Sequence, residues 1–203
     1  MSVDEKLLSL IFLLDTQTRR VLLGLKKRGF GQGKMNGFGG KMESGETMAE
    51  CACRELEEES GCKVQVERVQ ARGRLHFDML NDSGMVDKRT GRIIPRLLVY
   101  VYTAELADST GVVTESDEMQ PQWCSWDEIP LDRMWPDDAF WLPKLLAGND
   151  IVGHFEFANQ QDIVRHNVLA LPRGAYAEDS AKHEAAVALD AAPAVRLPAP
   201  PTA

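Results

Sequence analysis

The stretch that most constrains this chain is a glycine-dense loop running directly into a strongly capped acidic helix. The loop carries Gly29, Gly31, Gly33, Gly37, Gly39, Gly40 and Gly45, a density that marks backbone with unusual torsions or a close approach to another group. Thr47 with Glu50 three residues later forms a capping box, and Gly61 stands where a left-handed C-terminal cap belongs, so the pattern predicts a helix over about Met48–Ser60. On that helix Glu55, Glu58 and Glu59 fall at i, i+3 and i+4 and share one face. Ala49, Ala52, Cys53 and Leu56 form an apolar stripe offset from the acids. The helix is therefore expected to lie on a core while aiming three carboxylates sideways. Like charges so close disfavour one another's ionisation, and a hard divalent cation with its preference for oxygen ligands removes that penalty. Taken alone, the three acids read first as a solvated acidic face.

Around this segment the chain reads as alternating strands and helices. Leu7–Leu14 and Val21–Leu25 are predicted strands split by the turn Asp15-Thr16-Gln17-Thr18, and Val64–Val69, Gly73–Met79 and Leu97–Leu106 are further strands. Asn81–Pro95 is polar and turn-rich and carries Lys88, Arg89 and Arg92, as a protruding hairpin tip would. Pro136-Asp137-Asp138 opens a second helix running to about Leu146, and Gly153–Phe157 adds a last strand. Beyond Leu171 the composition shifts to alanine and proline, so the tail is expected to be disordered, apart from a short Ala-rich stretch near Lys182–Leu189. Irregular alternation of strands and helices favours a mixed α/β sandwich.

Composition narrows the function classes. A formal net charge of -8, from 31 Asp and Glu against 23 Lys and Arg, disfavours a nucleic-acid polymer as substrate while suiting capture of divalent cations. Cys51, Cys53, Cys62 and Cys124 show neither disulfide-framework nor zinc-site spacing and read as reduced packing thiols of a cytoplasmic protein. The first residues lack the basic region and cleavage site of a signal peptide, and Leu7–Leu14 is too short to span a bilayer. The expectation is a monomer without membrane or nucleic-acid partners, cytoplasmic, with nucleus or mitochondrion as further compartments.

Gly40, Glu46, Arg54, Glu55, Leu56, Glu58, Glu59 and Gly61 match every fixed position of G-x5-E-x7-R-E-U-x-E-E-x-G-U, with Cys62 as a small hydrophobe at the final U. The segment resembles the Nudix box. That resemblance implies a Nudix-type α/β/α sandwich with a mixed β-sheet, a domain over residues 1–170 and a tail over 171–203. It implies that Glu55, Glu58 and Glu59 hold Mg²⁺, or Mn²⁺ in its place, with a backbone carbonyl of Gly39 or Gly40 and with Glu118 nearby. Arg54 would pair with Glu46 and orient the helix carboxylates. Glu59 is the first candidate for the general base and Glu118 the second.

Outside the box, Lys26-Lys27-Arg28-Gly29-Phe30-Gly31, Asn36-Gly37-Phe38-Gly39-Gly40, Glu115-Ser116-Asp117-Glu118-Met119 and Met134-Trp135-Pro136-Asp137-Asp138 resemble the branch of the family that hydrolyses oxidised purine nucleoside triphosphates. The likeness runs from about Leu7 to about Asn167. It implies cleavage of substrates such as 8-oxo-dGTP and 2-oxo-dATP to a monophosphate and pyrophosphate. The residues themselves suit a purine pocket: Phe30, Phe77, Met119, Trp135, Trp141 and Phe157 supply flat or apolar walls, and Asn36 offers a donor and an acceptor. Asp137 and Asp138 are either plain helix capping or base recognition. As a pair beside aromatic walls they are expected to have pKa values driven apart, one carboxyl staying protonated near neutrality. Ser9 falls where the family has a threonine near the sugar and base, and Lys26 near the triphosphate. Basic Arg96 stands where the family has an apolar residue, which bears on pocket shape. The alternatives are another Nudix substrate (a dinucleoside polyphosphate, ADP-ribose or a methylated purine nucleotide), a catalytically silent nucleotide sensor, and a nucleic-acid or partner contact through Lys88–Arg92.

Overall fold

The computed structural model of the chain describes residues 5–80, 84–86 and 91–176. Its first half contains β1 (Glu5–Asp15), β2 (Arg20–Lys26), β3 (Met35–Asn36), α1 (Met48–Ser60), β4 (Cys62–Val64) and β5 (Gln70–Met79). A short pair follows, β6 (Met85–Val86) with β7 (Ile93–Ile94), then β8 (Arg96–Glu105), β9 (Ser109–Gly111) and β10 (Met119–Ser125). The last elements are α2 (Asp138–Leu146), β11 (Asp150–Phe157) and β12 (Ile163–Leu171). Among the described residues eight strands make one mixed sheet in the order β10-β2-β1-β8-β5-β11-β12, with β3 also on β2. The β1–β8 and β5–β11 pairs are parallel; the neighbours β1–β2, β5–β8 and β11–β12 are antiparallel.

Strand alternation in β1 divides the interior into two layers. Ile11 and Leu13 belong with Cys51, Ala52 and Leu56 of α1, whereas Leu10, Phe12 and Leu14 belong with Trp141, Leu142 and Leu145 of α2. A helix therefore covers each face, and the fold is an α/β/α sandwich around a mixed sheet. Burial on both faces explains why Leu7–Leu14 reads as a near-continuous apolar run, interrupted by Ser9 alone.

Helix α1 has the expected bounds because its ends are specified locally. Thr47 Oγ1 accepts from Glu50 N at 3.2 Å, Glu50 Oε2 accepts from Thr47 N at 2.7 Å, and Gly61 adopts φ 74°. Its buried stripe differs from the expected one: Cys51, with Met48, Ala52 and Leu56, takes the place assigned to Cys53. That rotation carries Glu59 into the margin of the core.

Other expectations needed correction. Predicted strand Val64–Val69 stops at Val64, where pairing with β9 ends after three residues, and continues as a 3-10 turn over Val66–Arg68. β5 begins at Gln70 rather than Gly73, across a bulge between Ala71 and Gly73. β10 and β12 were not expected. Both are edge strands, and β10 carries Pro121 and polar residues that an edge tolerates. The Asn81–Pro95 hairpin pairs Met85 with Ile94 and Val86 with Ile93, but Lys88 and Arg89 lie outside the described residues. The packed chain runs past Leu171 to Tyr176, which joins Val152 in a small cluster; the tail expected to be disordered lies outside the described residues from 177 onward. Among the described residues no helix is long and apolar enough to cross a membrane.

A buried ion pair ties β5, β11 and the C-terminal segment together. Arg72 Nε donates to Asp150 Oδ1 at 2.7 Å, its Nη2 donates to the Asn149 carbonyl at 2.9 Å, and Asp150 Oδ2 accepts from Tyr176 N at 3.0 Å. Because removal of one partner strands a buried charge, Arg72→Ala is expected to lower unfolding free energy by about 3–5 kcal/mol. Urea denaturation measures this, and a loss below about 1 kcal/mol would show that the pair is not a structural clamp.

Candidate active site

The segment Phe38–Lys41 runs antiparallel along β1, with Ser9 N donating to the Gly40 carbonyl at 2.9 Å and Ile11 N to the Phe38 carbonyl at 2.7 Å. Two glycines make this approach possible. A Cβ on Gly39 would collide with the Ser9 carbonyl, and one on Gly40 would collide with the Glu55 carboxylate. Glu55 therefore lies directly over the Gly40 backbone, and Glu59 Oε2 accepts from Gly39 N at 3.0 Å. The Gly40 carbonyl is committed to β1, which leaves the Gly39 carbonyl as the backbone oxygen on offer beside these acids.

Arg54 organises the outer side of the cluster. Its Nε and Nη2 donate to the two carboxylate oxygens of Glu46 at 3.1 and 2.8 Å, while Nη1 donates to Glu55 at 2.9 Å and Glu58 at 3.1 Å. The guanidinium holds the Glu46 carboxyl down at about 2. On the inner side Lys26 Nζ donates to Glu59 Oε1 at 3.0 Å and Glu118 Oε2 at 3.2 Å, and Arg28 donates to Glu118 Oε1 at 2.7 Å. Burial, countered in part by Arg54, raises the Glu55 carboxyl above its ordinary value, and Glu59 and Glu58 add to the rise. Burial likewise raises Glu59 against the pull of Lys26. Glu118, more exposed, is lowered by Arg28 and Lys26.

Among the described residues no three His, Cys, Asp or Glu side chains converge closely enough to hold an ion in their present positions. The protein's own cations stand between them: Arg54 bridges Glu55 and Glu58, and Lys26 bridges Glu59 and Glu118. The donor set still fits a hard divalent cation, since it offers only carboxylate and carbonyl oxygen.

A cleft of about 1500 Å³ continues from this cluster to the N-terminus of α2. All the catalytic, metal-binding and substrate-binding residues expected from the sequence line it except Glu46, which acts behind Arg54. Trp135 is gripped by the glycine loop. Phe30 stacks on it at 5.0 Å and 23°, Lys34 Nζ stands 4.9 Å over its ring, and a Cβ on Gly31 would fall 2.9 Å from the indole. Asp137 and Asp138 are buried at 4% and 2% exposure. Trp141 Nε1 donates to Asp137 Oδ2 at 2.9 Å, and Trp135 N donates to Asp138 Oδ2 at 2.9 Å. Asp137 thus bonds an indole rather than capping α2 with its side chain. Burial pushes Asp137 up to about 6, and burial together with Asp137 drives Asp138 well above the usual carboxylate range.

The expected aromatic walls divide in two. Phe30, Phe77 and Trp135 keep partly exposed rings, whereas Met119, Trp141 and Phe157 are buried packing beneath them. Asn36 uses its Oδ1 on Gly37 N at 2.8 Å and so offers a base mainly its amide donor. Ser9 lines the cleft but does not turn its hydroxyl toward the aspartate pair. As an odd-numbered residue of β1 it faces α1, where its Oγ meets Cys51 Sγ at 3.2 Å and the Gly40 N–H at 3.5 Å. The same parity turns Arg96 to Asp78, 2.7 Å away, and puts Leu97 in the cleft. Lys34 was missed because a lysine in a glycine loop reads as solvated surface. Its place two residues before Asn36 was the available signal.

Comparison with known proteins accords with this geometry. The NUDIX domain model matches residues 8–145. The chain is 40% identical over 164 residues to the oxidized purine nucleoside triphosphate hydrolase of Mus musculus, spanning 81% of this chain and 94% of that one. The Danio rerio protein of the same description is also 40% identical, with the same coverage. A crystal structure of a mutator MutT protein from Bacillus halodurans superposes with a TM-score of 0.63 at 22% identity, covering 80% of this chain and 97% of that one, and so shares the fold. With the helix-borne carboxylates, the glycine turn beneath them and this likeness over most of its length, the chain belongs to the Nudix hydrolase family.

Proposed function

We propose that this chain hydrolyses oxidised purine nucleoside triphosphates, such as 8-oxo-dGTP and 2-oxo-dATP, to a monophosphate and pyrophosphate with the help of Mg²⁺ or Mn²⁺, sanitising the nucleotide pool. A cytoplasmic, monomeric enzyme without nucleic-acid or membrane partners belongs to the same reading. The carrying observation is one cleft with opposed ends, carboxylates on a glycine turn at one and a buried aspartate pair beside Trp135 at the other. The vertebrate relatives, named for this activity, support it.

In this reading Glu55, Glu58, Glu59 and the Gly39 carbonyl hold the cation, with Glu118 beside them. Bound there, the cation supplies Lewis-acid charge to phosphate oxygens and acidifies a water. Arg54, fixed by its two bonds to Glu46, sets the direction in which Glu55 and Glu58 point. Glu59 is the base that takes the proton of the attacking water, and Glu118 is its alternate. Lys26, between them, holds both side chains in place and stands where the polyphosphate arrives. Phe30, Phe77 and Trp135 flank the purine, Asn36 donates to its edge, and Asp137 and Asp138 read that edge as one donor and one acceptor. A pair that retains one proton near neutrality can pair with both oxidised bases, which present different edges.

Glu59→Gln is expected to lower kcat by about 10²–10⁴-fold with Tm retained, and near-normal turnover would remove Glu59 from the chemistry. A substrate panel is expected to show 8-oxo-dGTP and 2-oxo-dATP outpacing dGTP; equal rates for the three would defeat the sanitising role. Asp138→Asn is expected to change the ratio of kcat/KM for the two oxidised bases by roughly tenfold to hundredfold. The same variant tests the cost of the pair. A carboxyl raised in the fold contributes most below its unfolded value, and that contribution is lost as pH rises through its folded value. Asn in place of Asp138 is therefore expected to raise Tm more at pH 7.5 than at pH 4. An equal gain at both would show that Asp138 is ionised without penalty.

A further inference from the structure

The loop lysine that the sequence left unassigned holds both the aromatic wall and the Met134–Trp135 peptide, whose N–H donates to Asp138. Lys34 Nζ donates to the Met134 carbonyl at 3.2 Å and stands 4.9 Å over the Trp135 ring. Its backbone is fixed on both sides, since Lys34 N donates to the Gly31 carbonyl at 3.0 Å and Lys26 N donates to the Lys34 carbonyl at 2.9 Å. The ammonium is thus placed by the same loop that supplies Phe30 and by the strand that carries Lys26. It grips the two residues, Met134 and Trp135, that lead into Asp137 and Asp138. We propose that Lys34 is a positioning residue that pins Trp135 and, through its charge, sets which oxidised-purine edge the Asp137–Asp138 pair selects; this rests on the substrate reading above.

The surroundings of the pair leave this role to Lys34. Burial is the main influence on the two aspartates, and the charged groups that act on them besides are Asp137, which raises Asp138, and Lys34, which opposes the rise of both. Trp135 and Trp141 reach them with neutral N–H donors, and Asn36, Phe77 and Phe157 bring no charge from the other walls of the cleft. His166 of β12 meets α2 at Phe140, with ring centroids 4.1 Å apart, and Lys144 lies near the far end of that helix. In the low-dielectric pocket a single cation beside two buried carboxyls favours their ionised form. It also costs little in order, because a cation over an indole is held by the ring's own quadrupole. Loss of the charge makes the pair retain its proton to higher pH. Loss of the grip frees Trp135 from one of its three contacts with the loop.

The test compares wild type, Lys34→Met and Lys34→Arg, with two readouts. Carboxyl ¹³C NMR of the free protein follows the titration of Asp137 and Asp138, and kcat/KM for 8-oxo-dGTP and 2-oxo-dATP is measured from pH 6 to 9. Lys34→Met is expected to move both the titration midpoint and the pH at which the substrate ratio changes upward by on the order of one pH unit. Lys34→Arg restores both, which a purely structural role would not require. Midpoints and substrate ratio unmoved in Lys34→Met, with oxidised-purine hydrolysis retained, overturn the role of Lys34 alone. A wild-type chain that turns over neither oxidised purine overturns the substrate reading and, with it, the selection assigned to Lys34.

Discussion

Mutual repulsion among carboxylates on one turn of α1 is the constraint on which the rest of the site depends. Glu55, Glu58 and Glu59 share a helix face, and two of them are drawn toward the protein interior, where each raises the cost of ionising the next. The fold answers with two cations of its own. Arg54 is anchored by Glu46 and spans Glu55 and Glu58, while Lys26 spans Glu59 and Glu118. Neither could reach if the helix were displaced, and the helix is held close by two glycines that let Phe38–Lys41 lie against β1 beneath it. The capping box, glycine turn and arginine are thus parts of one arrangement that keeps a high density of negative charge without unfolding the helix that bears it.

The opposite end of the cleft carries a different burden. Asp137 and Asp138 are buried next to each other, and the protein meets them with two indole-bearing residues and one lysine rather than with a full set of counter-charges. Such a pair is poor for stability and useful for recognition, because a buried carboxyl that keeps its proton can donate as well as accept. The two ends are joined by the glycine loop, whose start leads out of β2 with Lys26 and whose middle supplies Phe30, Gly31 and Lys34 to Trp135. Displacement of that loop would disturb the carboxylate cluster and the aspartate pair together.

Legibility in the sequence followed locality. Helix α1 and its acidic face were readable because Thr47, Glu50 and Gly61 fix its ends and one helical period places Glu55, Glu58 and Glu59. β10 and β12 were not, since edge strands carry polar residues and proline, and only pairing with β2 or β11 makes them strands. Val66–Arg68 has strand-like composition but leaves the sheet once β9 runs out. At the site, spacing found the cluster but not which acid lies deepest: Cys51 rather than Cys53 faces the core, and that rotation buries Glu59. Ser9 lines the cleft, but strand parity, a property of the sheet rather than of the residue, turns its hydroxyl toward Cys51 of α1. Trp141 and Phe157 have the side chains of a stacking wall, yet packing makes them its foundation.

The central claim is that the acids of α1 form a divalent-cation site on the Gly39–Gly40 turn. Titration of the whole protein with Mn²⁺, followed by electron paramagnetic resonance, tests it without reference to any substrate. Wild type is expected to bind the ion, and Glu55→Gln and Glu59→Gln are each expected to weaken binding by about tenfold or more while Tm holds. Mn²⁺ affinity unchanged in both variants would contradict the account.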